Sequence, residues 1–414
     1  MPKLRFPEFE QSWEEIPLGE LGQFFRGLTY GADDVASEGL LVLRSSNIQG
    51  GQLVLDSDLV FVTKRCPPEM CLKRGDIAIC MSNGSKALVG KSGEFHNDYP
   101  GELTVGAFCS IFRPKKPFAK IAFSTPRYEN FVATGIAGGN INNLKNSDLE
   151  SFVFHVPPTN EEQQKIADCL SSLDELIAAQ ARKVDALKTQ KKGLMQQLFP
   201  REDETQPRLR FPEFRDADDW VSSTLGAVFD TTSGGTPSRA ERDYWDGDIP
   251  WITTSLVNFG VITEAEEYIS QAGLKNSSAK LLPKGAVLIA MYGQGKTRGQ
   301  VALLGVEATT NQACAAVLPK EGINPYFVFS NLAGRYEEFR KLSNSGGQEN
   351  LSQALVRDFP FAYPADEMEQ QRVTDCLTSL DTLITGATQE LETLKTHKKG
   401  LMQQLFPSVE AIEA

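Results

Sequence analysis

The stretch LKTQKKGLMQQLFP, which runs from Leu187 to Pro200, occurs a second time as LKTHKKGLMQQLFP from Leu394 to Pro407. The two copies differ only at Gln190 and His397, and they lie 207 residues apart in a chain of 414 residues. A repeat that returns after half of the chain indicates two copies of one structural unit. The sequence therefore predicts two related halves, each ending in the same segment.

The repeat also includes the beginning of each half. The sequence LRFPEF occurs at 4–9 and again at 209–214, and Glu162-Gln163-Gln164 recurs as Glu369-Gln370-Gln371. The middles, residues 23–135 and 230–343, have only sparse residues in common. Identical ends suggest one structural role performed twice, whereas divergent middles suggest one kind of task performed on two targets.

Each repeated end has the pattern of a long amphipathic helix. Its apolar residues recur in alternating steps of four and three, which is the spacing of a coiled-coil seam. A capping box at each start and a proline at each end predict a helix of about 40 residues, or ~60 Å. A narrow seam needs a partner, and the obvious partner is the other copy. The seam residues are Ile166, Leu170, Leu173, Ile177, Val184, Leu187, Leu194 and Leu198, with Val373, Leu377, Leu380, Ile384, Leu391, Leu394, Leu401 and Leu405 in the second copy.

Residues outside the seam are repeated as well. If the helices only pair with each other, this identity is unexplained; it would follow if each helix also docks the same partner protein. We therefore expect two equivalent docking sites related by pseudo-two-fold symmetry. The predicted docking residues are Met195, Gln196 and Phe199, repeated as Met402, Gln403 and Phe406.

The middles are rich in short apolar runs separated by polar turns, which predicts strand-rich domains. Candidate strands in the first half are 40–43, 76–81 and 108–112. Their counterparts in the second half are 249–253, 286–291 and 313–318. The fold class is therefore α+β, with two strand-rich α/β domains that are each followed by a long helix.

Composition favours a cytoplasmic binding protein. The sequence shows neither a secretory signal nor a membrane span. Its seven cysteines form no paired framework, and with three histidines there is little material for metal binding or catalysis. The net charge is −12, but residues 64–127 carry eleven Lys/Arg against five Asp/Glu, and residues 274–306 carry five and none. Such local basic segments are consistent with a DNA-facing surface.

The sequence leaves two other classes of function open. The loop AMYGQGKT from Ala290 to Thr297 fits a relaxed phosphate-loop pattern, with Lys296 and Thr297 as its binding residues. A true phosphate loop opens a helix, whereas the residues that follow Arg298 have the pattern of a strand. The other alternative is a tandem adaptor protein that does not bind DNA.

This combination of features resembles the specificity subunit of a type I restriction-modification enzyme. The resemblance rests on the two divergent domains, on LRFPEF…W…LG and on the P-x-x-x-E-x-Q-Q helices. It also rests on 233–239, on Tyr244-Trp245, on 249–253 and on 299–319 in the second half, and more loosely on 75–77, 82–85 and 89–91 in the first.

The resemblance implies a prokaryotic protein without catalytic residues, in which each domain recognises one half of an asymmetric, two-part site in double-stranded DNA. The helices would form an antiparallel coiled coil that sets the spacer. Two methyltransferase subunits would dock on it, and motor-nuclease subunits would join them. S-adenosylmethionine, ATP and Mg would belong to those partners, so no cofactor is expected in this chain.

The expected organisation is a first recognition domain at 1–157, a helix at 158–200, a linker at 201–206, a second recognition domain at 207–363, a helix at 364–407 and a tail at 408–414. Insertions after Pro200 are expected to alter the spacer. Polar and basic residues in the loops after candidate strands are expected to contact DNA. They are Arg44, Ser45, Asn47, Ser82, Asn83, Lys86, Lys91 and Asn142 in the first half, and Thr236, Arg239, Thr253, Ser255, Tyr292, Gln294, Lys296, Thr297, Arg298, Gln348 and Asn350 in the second.

Overall fold

The computed structural model describes residues 2–96, 99–137, 143–201, 204–293, 296–342 and 350–406. The chain divides into two compact units. Unit 1 comprises Met1–Gln180 and Glu390–Ala414, and unit 2 comprises Ala181–Gln389. Each unit therefore contains one divergent middle and the end of the long helix that belongs to the other half of the sequence. Among the described helices, none is both long and apolar enough to cross a membrane.

Unit 1 contains short strands and three short helices before the first long helix. The strands are β1 Glu14–Pro17, β2 Gly22–Arg26, β3 Val35–Ala36, β4 Leu40–Leu43, β5 Ile48–Gln49, β6 Gln52–Leu53, β7 Val60–Val62, β8 Ile77–Cys80, β9 Ser92–Glu94, β10 Leu103–Val105, β11 Cys109–Pro114 and β12 Val153–Val156. The helices are α1 Leu18–Leu21, α2 Pro126–Ala137, α3 Asn146–Glu150 and α4 Asn160–Leu198. Short 3-10 turns lie at Ala32–Asp34, Ser45–Asn47, Lys86–Leu88 and Pro117–Ser124.

Unit 2 contains a similar set of elements before the second long helix. The strands are β13 Val221–Thr224, β14 Thr231–Ser233, β15 Trp245–Ile252, β16 Val261–Ile262, β17 Glu267–Ile269, β18 Val287–Ala290, β19 Val301–Leu304, β20 Thr309–Thr310, β21 Cys314–Val317 and β22 Pro360–Tyr363. The helices are α5 Leu225–Val228, α6 Gln271–Lys275, α7 Pro325–Gly334, α8 Tyr336–Lys341, α9 Gln353–Arg357 and α10 Glu367–Leu405. Short 3-10 turns lie at Pro212–Phe214, Arg242–Tyr244 and Thr254–Leu256.

The sheets of the two units have a common strand order, to which unit 1 adds the edge strands β5 and β3. In unit 1 the sheets are β2-β11-β8-β9-β6-β5, β10-β4-β7-β3 and β1-β12. In unit 2 they are β14-β21-β18-β19-β16, β17-β15-β20 and β13-β22. The parallel pair β4–β10 corresponds to β15–β20, and β6–β9 corresponds to β16–β19. The predicted candidate strands are confirmed as β4, β8, β11, β15, β18 and β21. Two divergent middles thus share one topology.

A buried carboxylate joins the start of each unit to its long helix. In unit 1, Glu162 accepts hydrogen bonds from the Arg5 guanidinium at 2.7 and 2.8 Å and from the Trp13 indole at 3.1 Å. In unit 2, Glu369 accepts the same bonds from Arg210 and Trp220, at 2.7 to 3.0 Å. The repeated LRFPEF, Trp and Glu-Gln-Gln motifs are therefore three parts of one contact.

This contact changes one part of the predicted capping boxes. The Thr159 hydroxyl does accept a hydrogen bond from the backbone N–H of Glu162, at 3.3 Å. The Glu162 carboxylate, however, binds Arg5 and Trp13 instead of returning to the helix start. A bidentate guanidinium is a stronger partner for a buried carboxylate than one backbone amide. The hydrogen bonds to Glu162 also raise the pKa of Arg5.

The long helices α4 and α10 are each 39 residues long and pair in antiparallel fashion. Within unit 1, Lys398 contacts Asp174 at 2.5 Å, and Gln180 donates to Glu390 at 2.8 Å. Within unit 2, the pair related to the first by the repeat, Lys191 and Asp381, is also 2.5 Å apart. All sixteen predicted seam residues are buried or half-buried. Six of them lie in the cores of the two units, so a seam between the helices stays a prediction; the six are Ile166, Leu170, Leu198, Val373, Leu377 and Leu405.

The last turn of each long helix completes the hydrophobic core of a unit. Phe406 lies in the unit 1 core, with ring-centroid distances of 5.5 Å to Trp13 and 5.7 Å to Phe154. Phe199 lies in the unit 2 core, with its ring 5.2 Å from that of Phe327. We call Met195, Leu198, Phe199, Met402, Leu405 and Phe406 the helix-end residues; all six are buried.

This burial corrects one prediction about partner docking. Met195, Phe199, Met402 and Phe406 were expected to form an exposed docking surface, and their side chains lie in the cores instead. Gln196 and Gln403 are exposed, so their predicted role in docking stays a prediction. The helix-end residues are repeated because both cores require the same packing, whatever the chain binds.

The helix-end residues should be important for stability. Phe406→Ala would leave a cavity beside Trp13 and Phe154, so we expect the free energy of unfolding to fall by about 3–5 kcal/mol. Gln403→Ala, in the same helical turn but exposed, is the matched control and should change it by less than ~0.5 kcal/mol. Equilibrium denaturation in urea measures both. Equal effects of the two substitutions would contradict the burial of Phe406.

Candidate nucleic-acid interface

Two predicted loops of unit 1 meet at one end of its sheets. Residues 44–47 follow β4, and residues 82–86 follow β8. The Asn83 amide donates to the Ser45 hydroxyl at 3.1 Å, and Asn83 in turn accepts from the backbone N–H of Ser85. The structure thus brings together Ser45 and Asn83, which are 38 residues apart in sequence.

Asn47 lies in the same loop but has a structural role. It is fully buried, and its side-chain oxygen accepts from the backbone N–H of Arg44 at 2.8 Å. Its amide donates to the carbonyl of Ser57 at 2.9 Å. The prediction that Asn47 contacts DNA is therefore wrong, because its polar groups hold the loop and face the interior. Arg44 remains half-exposed and is paired with Asp58.

Three further predicted residues border this loop cluster. Lys86 is exposed at the start of a 3-10 turn. Lys91 is half-buried, and its carbonyl accepts from the backbone N–H of Cys80 at the end of β8. Ser82 forms an isolated bridge with Asn143, whereas Asn142 lies outside the described residues.

A pair of buried thiols lies beneath these loops. Cys80 and Cys109 are directly opposite each other on β8 and β11. A hydrogen bond from Cys109, aided by Ser45, lowers the pKa of Cys80 to about 7, whereas the same bond and burial raise the pKa of Cys109. This pair contributes to the polarity of the loop base but is buried from solvent.

An exposed aromatic side chain at this edge was not predicted from the sequence. Phe108, in the turn before β11, is 70% exposed, and its carbonyl accepts hydrogen bonds from the backbone N–H groups of Met81 and Ser82. A phenylalanine beside a strand has the pattern of a core residue, so local pattern does not distinguish an exposed Phe108 from a buried one. A single exposed ring is ordinary on a protein surface, and it is the position of Phe108 beside Met81 and Ser82 that makes it a candidate contact.

The corresponding loops of unit 2 also converge. Thr236 donates to the side-chain oxygen of Gln312 at 2.6 Å, and the backbone N–H of Asn311 donates to the carbonyl of Ile252 at 3.1 Å. Thr253 and Ser255 share a hydrogen bond of 2.6 Å just beyond β15. One sheet end of unit 2 therefore carries Thr236, Thr253 and Ser255. Gln312 is exposed at the same end and was not predicted as a contact.

Arg239 is exposed but already has two partners. Its guanidinium donates to both oxygens of Glu267, at 2.6 and 2.9 Å, and lies 3.6 Å from the centre of the Trp245 ring. The hydrogen bonds from Arg239 lower the pKa of Glu267, and those same bonds raise the pKa of Arg239. A ligand at Arg239 would compete with Glu267.

The loop after β18 carries the other predicted contacts of unit 2. Tyr292 is 42% exposed, Lys296 is exposed and Thr297 is half-buried. The Tyr336 hydroxyl donates to the carbonyl of Lys296 at 2.5 Å, which fixes the backbone beneath the Lys296 side chain. Gln294 lies outside the described residues.

Arg298 is a second residue whose predicted role is wrong. It is 8% exposed, and its guanidinium donates to the carbonyls of Arg340 and Leu342, at 2.9 and 3.3 Å. A planar group with five donors suits the unpaired carbonyls at the end of α8. Arg298 therefore fastens the loop and does not reach a base edge.

The two units present different side chains on equivalent positions. One hydrogen bond aligns the two units. The N–H of Leu351 donates to the carbonyl of Met291 in unit 2, and the N–H of Leu144 donates to the carbonyl of Met81 in unit 1. Asn350, a predicted contact, directly precedes Leu351. By this alignment Tyr292 occupies the position of Ser82, and Ala313 that of Phe108. Phe108 in unit 1 and Tyr292 in unit 2 are thus exposed aromatic rings at this edge, on neighbouring strands. Gln348 is outside the described residues.

The alternative of a nucleotide-binding loop does not fit the fold. After Lys296, the next element is the strand β19, and no helix begins where a phosphate loop requires one. In the part of the chain that the structure describes, no group of three or more His, Cys, Asp or Glu is placed to hold a metal ion. The two loop clusters are thus surfaces of hydroxyl, amide, ammonium and aromatic groups.

Fold and surface together define a protein of two strand-rich domains, each with a cluster of exposed polar loops at one sheet end and each followed by a long helix. Residues 78–189 and 217–396 match the family described as the type I restriction modification DNA specificity domain. The chain belongs to this family.

Individual relatives agree with this assignment. At 34% identity over 172 residues, the chain is similar to the specificity subunit of the type I restriction enzyme EcoKI of Escherichia coli K12, a match that spans 39% of this chain and 36% of that protein. The MjaVIII specificity subunit of Methanocaldococcus jannaschii is 24% identical over 98% of this chain and 94% of its own length. The fold resembles that of the S subunit of a type I restriction-modification system from M. genitalium, with a TM-score of 0.56 and 16% identity over 99% of this chain and 100% of that chain.

The exposed aromatic rings offer a test of the interface. We expect Phe108→Ala to weaken binding of a duplex that contains the recognition site by roughly ten-fold, because a phenyl ring can contact a thymine methyl group in the major groove and losing the contacts of one base pair costs about 1–3 kcal/mol. Fluorescence anisotropy of the labelled duplex with the full chain measures the affinity. Phe25→Ala is unsuitable as a control because Phe25 packs against the core. The control is Val35→Ala, which shortens an exposed apolar side chain on a different strand. Unchanged affinity for Phe108→Ala would place the interface elsewhere.

Proposed function

We propose that this chain selects the DNA sequence on which a type I restriction-modification complex acts. Each loop cluster would recognise one half of a bipartite, asymmetric site in double-stranded DNA. The observation that carries this proposal is that one topology occurs twice with different exposed side chains at the same sheet end. A common scaffold with divergent contact residues is what recognition of two different half-sites requires.

The chemistry of the loops supports direct reading of base edges. Amide groups such as those of Asn83 and Gln312 can both donate and accept, which suits the mixed pattern of the major groove. Lys86 and Lys296 carry flexible point charges that suit phosphate contacts. Since Ser45 holds Asn83 by a hydrogen bond, its amide is partly oriented before DNA binds.

We further propose that α4 and α10 set the number of base pairs between the half-sites. Each helix is 39 residues long, and the ion pairs Lys398–Asp174 and Lys191–Asp381 agree with one antiparallel register. A rigid pair of helices changes length only in steps of the helical rise, which makes it suitable as a molecular ruler.

Methyltransferase and motor-nuclease subunits are the proposed partners, and S-adenosylmethionine, ATP and Mg would be bound by them. Because the helix-end residues are buried, docking needs another surface. Leu176 and Leu383 are 55% and 57% exposed, at equivalent positions of the two helices. A single exposed leucine needs no explanation, but the same exposure twice supports two equivalent docking sites, for which Gln196 and Gln403 remain candidates.

Shortening the helix pair tests the ruler. Residues 183–189 of α4 lie opposite 383–389 of α10 in the register fixed by Lys191 and Asp381. Deleting both heptads preserves the seam and removes about 10 Å of helix, or about three base pairs. We expect the same half-sites with a spacer shorter by about three base pairs. Sequencing the methylated motifs of cells that carry the variant and its methyltransferase measures this.

The control for this deletion is an insertion of two glycines after Arg201. An insertion there was expected from the sequence to change the spacer. Unit 2 holds the chain on both sides of the insertion. Before it, Phe199 lies in the core, and after it, the N–H of Leu209 donates to the carbonyl of Gln197. We therefore now expect the spacer to stay the same. If the deletion changes the bases of either half-site, recognition and spacing are not separate.

Docking is tested with substitutions at the exposed leucines. We expect Leu176→Asp to reduce the complex to one methyltransferase per chain, and the further change Leu383→Asp to abolish binding, because both would place a charge in an apolar contact. Light scattering of reconstituted complexes measures the stoichiometry. Thr189→Asp with Thr396→Asp, exposed and repeated on another helix face, is the control. Two methyltransferases bound to the double leucine variant would exclude this surface.

A further inference from the structure

A basic cleft lies in unit 1, away from the loop cluster. Its volume is about 450 Å³. The lining has six cationic residues, which are Lys73, Arg74, Arg113, Lys115, Lys116 and Lys120. Two carboxylates, Asp76 and Glu94, also line the cleft, so the net charge of the lining is +4 with His96 neutral.

The cleft is at the sheet end opposite to the predicted DNA contacts. The strand β8 begins at Ile77, next to the cleft, and ends at Cys80, next to Ser82 and Asn83. Ile77 is paired with Phe112 and Glu94, which places the end of β11 and the end of β9 at the cleft. Four residues of strand separate the two ends by about 13 Å. The cleft is thus a surface distinct from the loop cluster.

Part of the positive charge has a structural role. Arg113 binds the nearly buried Asp76 at 2.7 Å, and Lys120 binds Glu94 at 3.0 Å. Lys115 donates to the carbonyl of Glu20.

Lys73, Lys115 and Lys116 are exposed lysines of the lining. Lys116 donates to the neutral side-chain oxygen of Asn160. Within the described part of the chain, no carboxylate lies within 4.0 Å of the ammonium groups of Lys73, Lys115 or Lys116. These three lysines are exposed and have no ion-pair partner among the residues that the structure describes.

Unit 2 shows that the topology does not need this charge. Alignment of β8 with β18 and of β11 with β21 places Pro283 and Lys284 at the positions of Lys73 and Arg74. The same alignment places Leu318, Lys320 and Glu321 at the positions of Arg113, Lys115 and Lys116. The equivalent sheet end of unit 2 therefore carries two lysines and one glutamate. Since the same fold forms without it, the charge of the unit 1 cleft is available for binding.

We propose that the cleft binds the phosphate backbone of duplex DNA without regard to sequence, as a second DNA contact beside the half-site reading that it presupposes. Lysine offers a point charge without the bidentate geometry that reads a guanine edge. Duplex DNA carries one negative charge per ~1.7 Å, so a row of lysines meets several phosphates at once. The chain as a whole has a net charge of −12, so a polyanion is attracted to a cleft whose lining has a net charge of +4.

The test compares two double variants of the full chain. Lys73→Gln with Lys116→Gln removes two charges from the cleft, and Lys284→Gln with Lys320→Gln removes two from the equivalent end of unit 2. Both are titrated with labelled 30-base-pair duplexes, one with the recognition motif and one without, at several KCl concentrations. For the cleft variant we expect roughly ten-fold weaker binding of both duplexes and a salt slope shallower by about one to two. The unit 2 variant should match the wild type.

Other results would overturn the proposal. These are equal binding by the cleft variant and the wild type, or an equal loss in both variants. Polyglutamate is titrated as a third ligand. If the cleft variant binds polyglutamate more weakly than the wild type but binds both duplexes equally well, the cleft is a site for an acidic protein surface and the proposal is wrong. The motif duplex separates this proposal from the proposed function. If the wild type prefers the motif duplex and the cleft variant binds both duplexes as the wild type does, only the cleft proposal is refuted. If binding depends on the cleft but neither protein prefers the motif duplex, only the proposed sequence selection is refuted.

Discussion

The buried carboxylate of each long helix is the contact on which the rest of each unit depends. Glu162 and Glu369 have side chains that are 1% and 2% exposed, and an ion of this kind is costly unless it is paired and fully hydrogen-bonded. Arginine and tryptophan from the start of the unit supply those bonds. They fix where the helix begins relative to the strands, and therefore where the loops at the sheet ends lie.

The helix-end residues act on the same cores from the opposite direction. Met195 and Phe199 come from the first half of the sequence but complete the core of unit 2, whereas Met402 and Phe406 complete that of unit 1. Folding of each recognition domain is thereby coupled to a helix from the other half. The repetition of the helix-end residues follows from this packing requirement, because each set completes an aromatic core. The repeated exposed residues, among them Gln196 and Gln403, are not explained by it.

Sequence periodicity was sufficient for the helices and the main strands, since the seam and the buried apolar runs each follow the geometry of one element. It was not sufficient for single side chains in loops. Asn47 and Arg298 are polar residues in exposed-looking turns, yet distant carbonyls bury and bind them. Phe108 has the composition of a core residue but occurs in a turn that leaves it in solvent. Such outcomes depend on tertiary neighbours, which local pattern does not contain.

The duplicated carboxylate contact has a consequence for how such a chain can change. The residues on which folding depends lie in the repeated segments, and the divergent middles contribute sheets of common topology between them. A middle from another chain with the same flanking segments would meet the same arginine, tryptophan and phenylalanine partners. Recombination within the repeats would therefore yield a folded protein with a new surface in a single genetic event, whereas point substitutions would have to alter each contact separately.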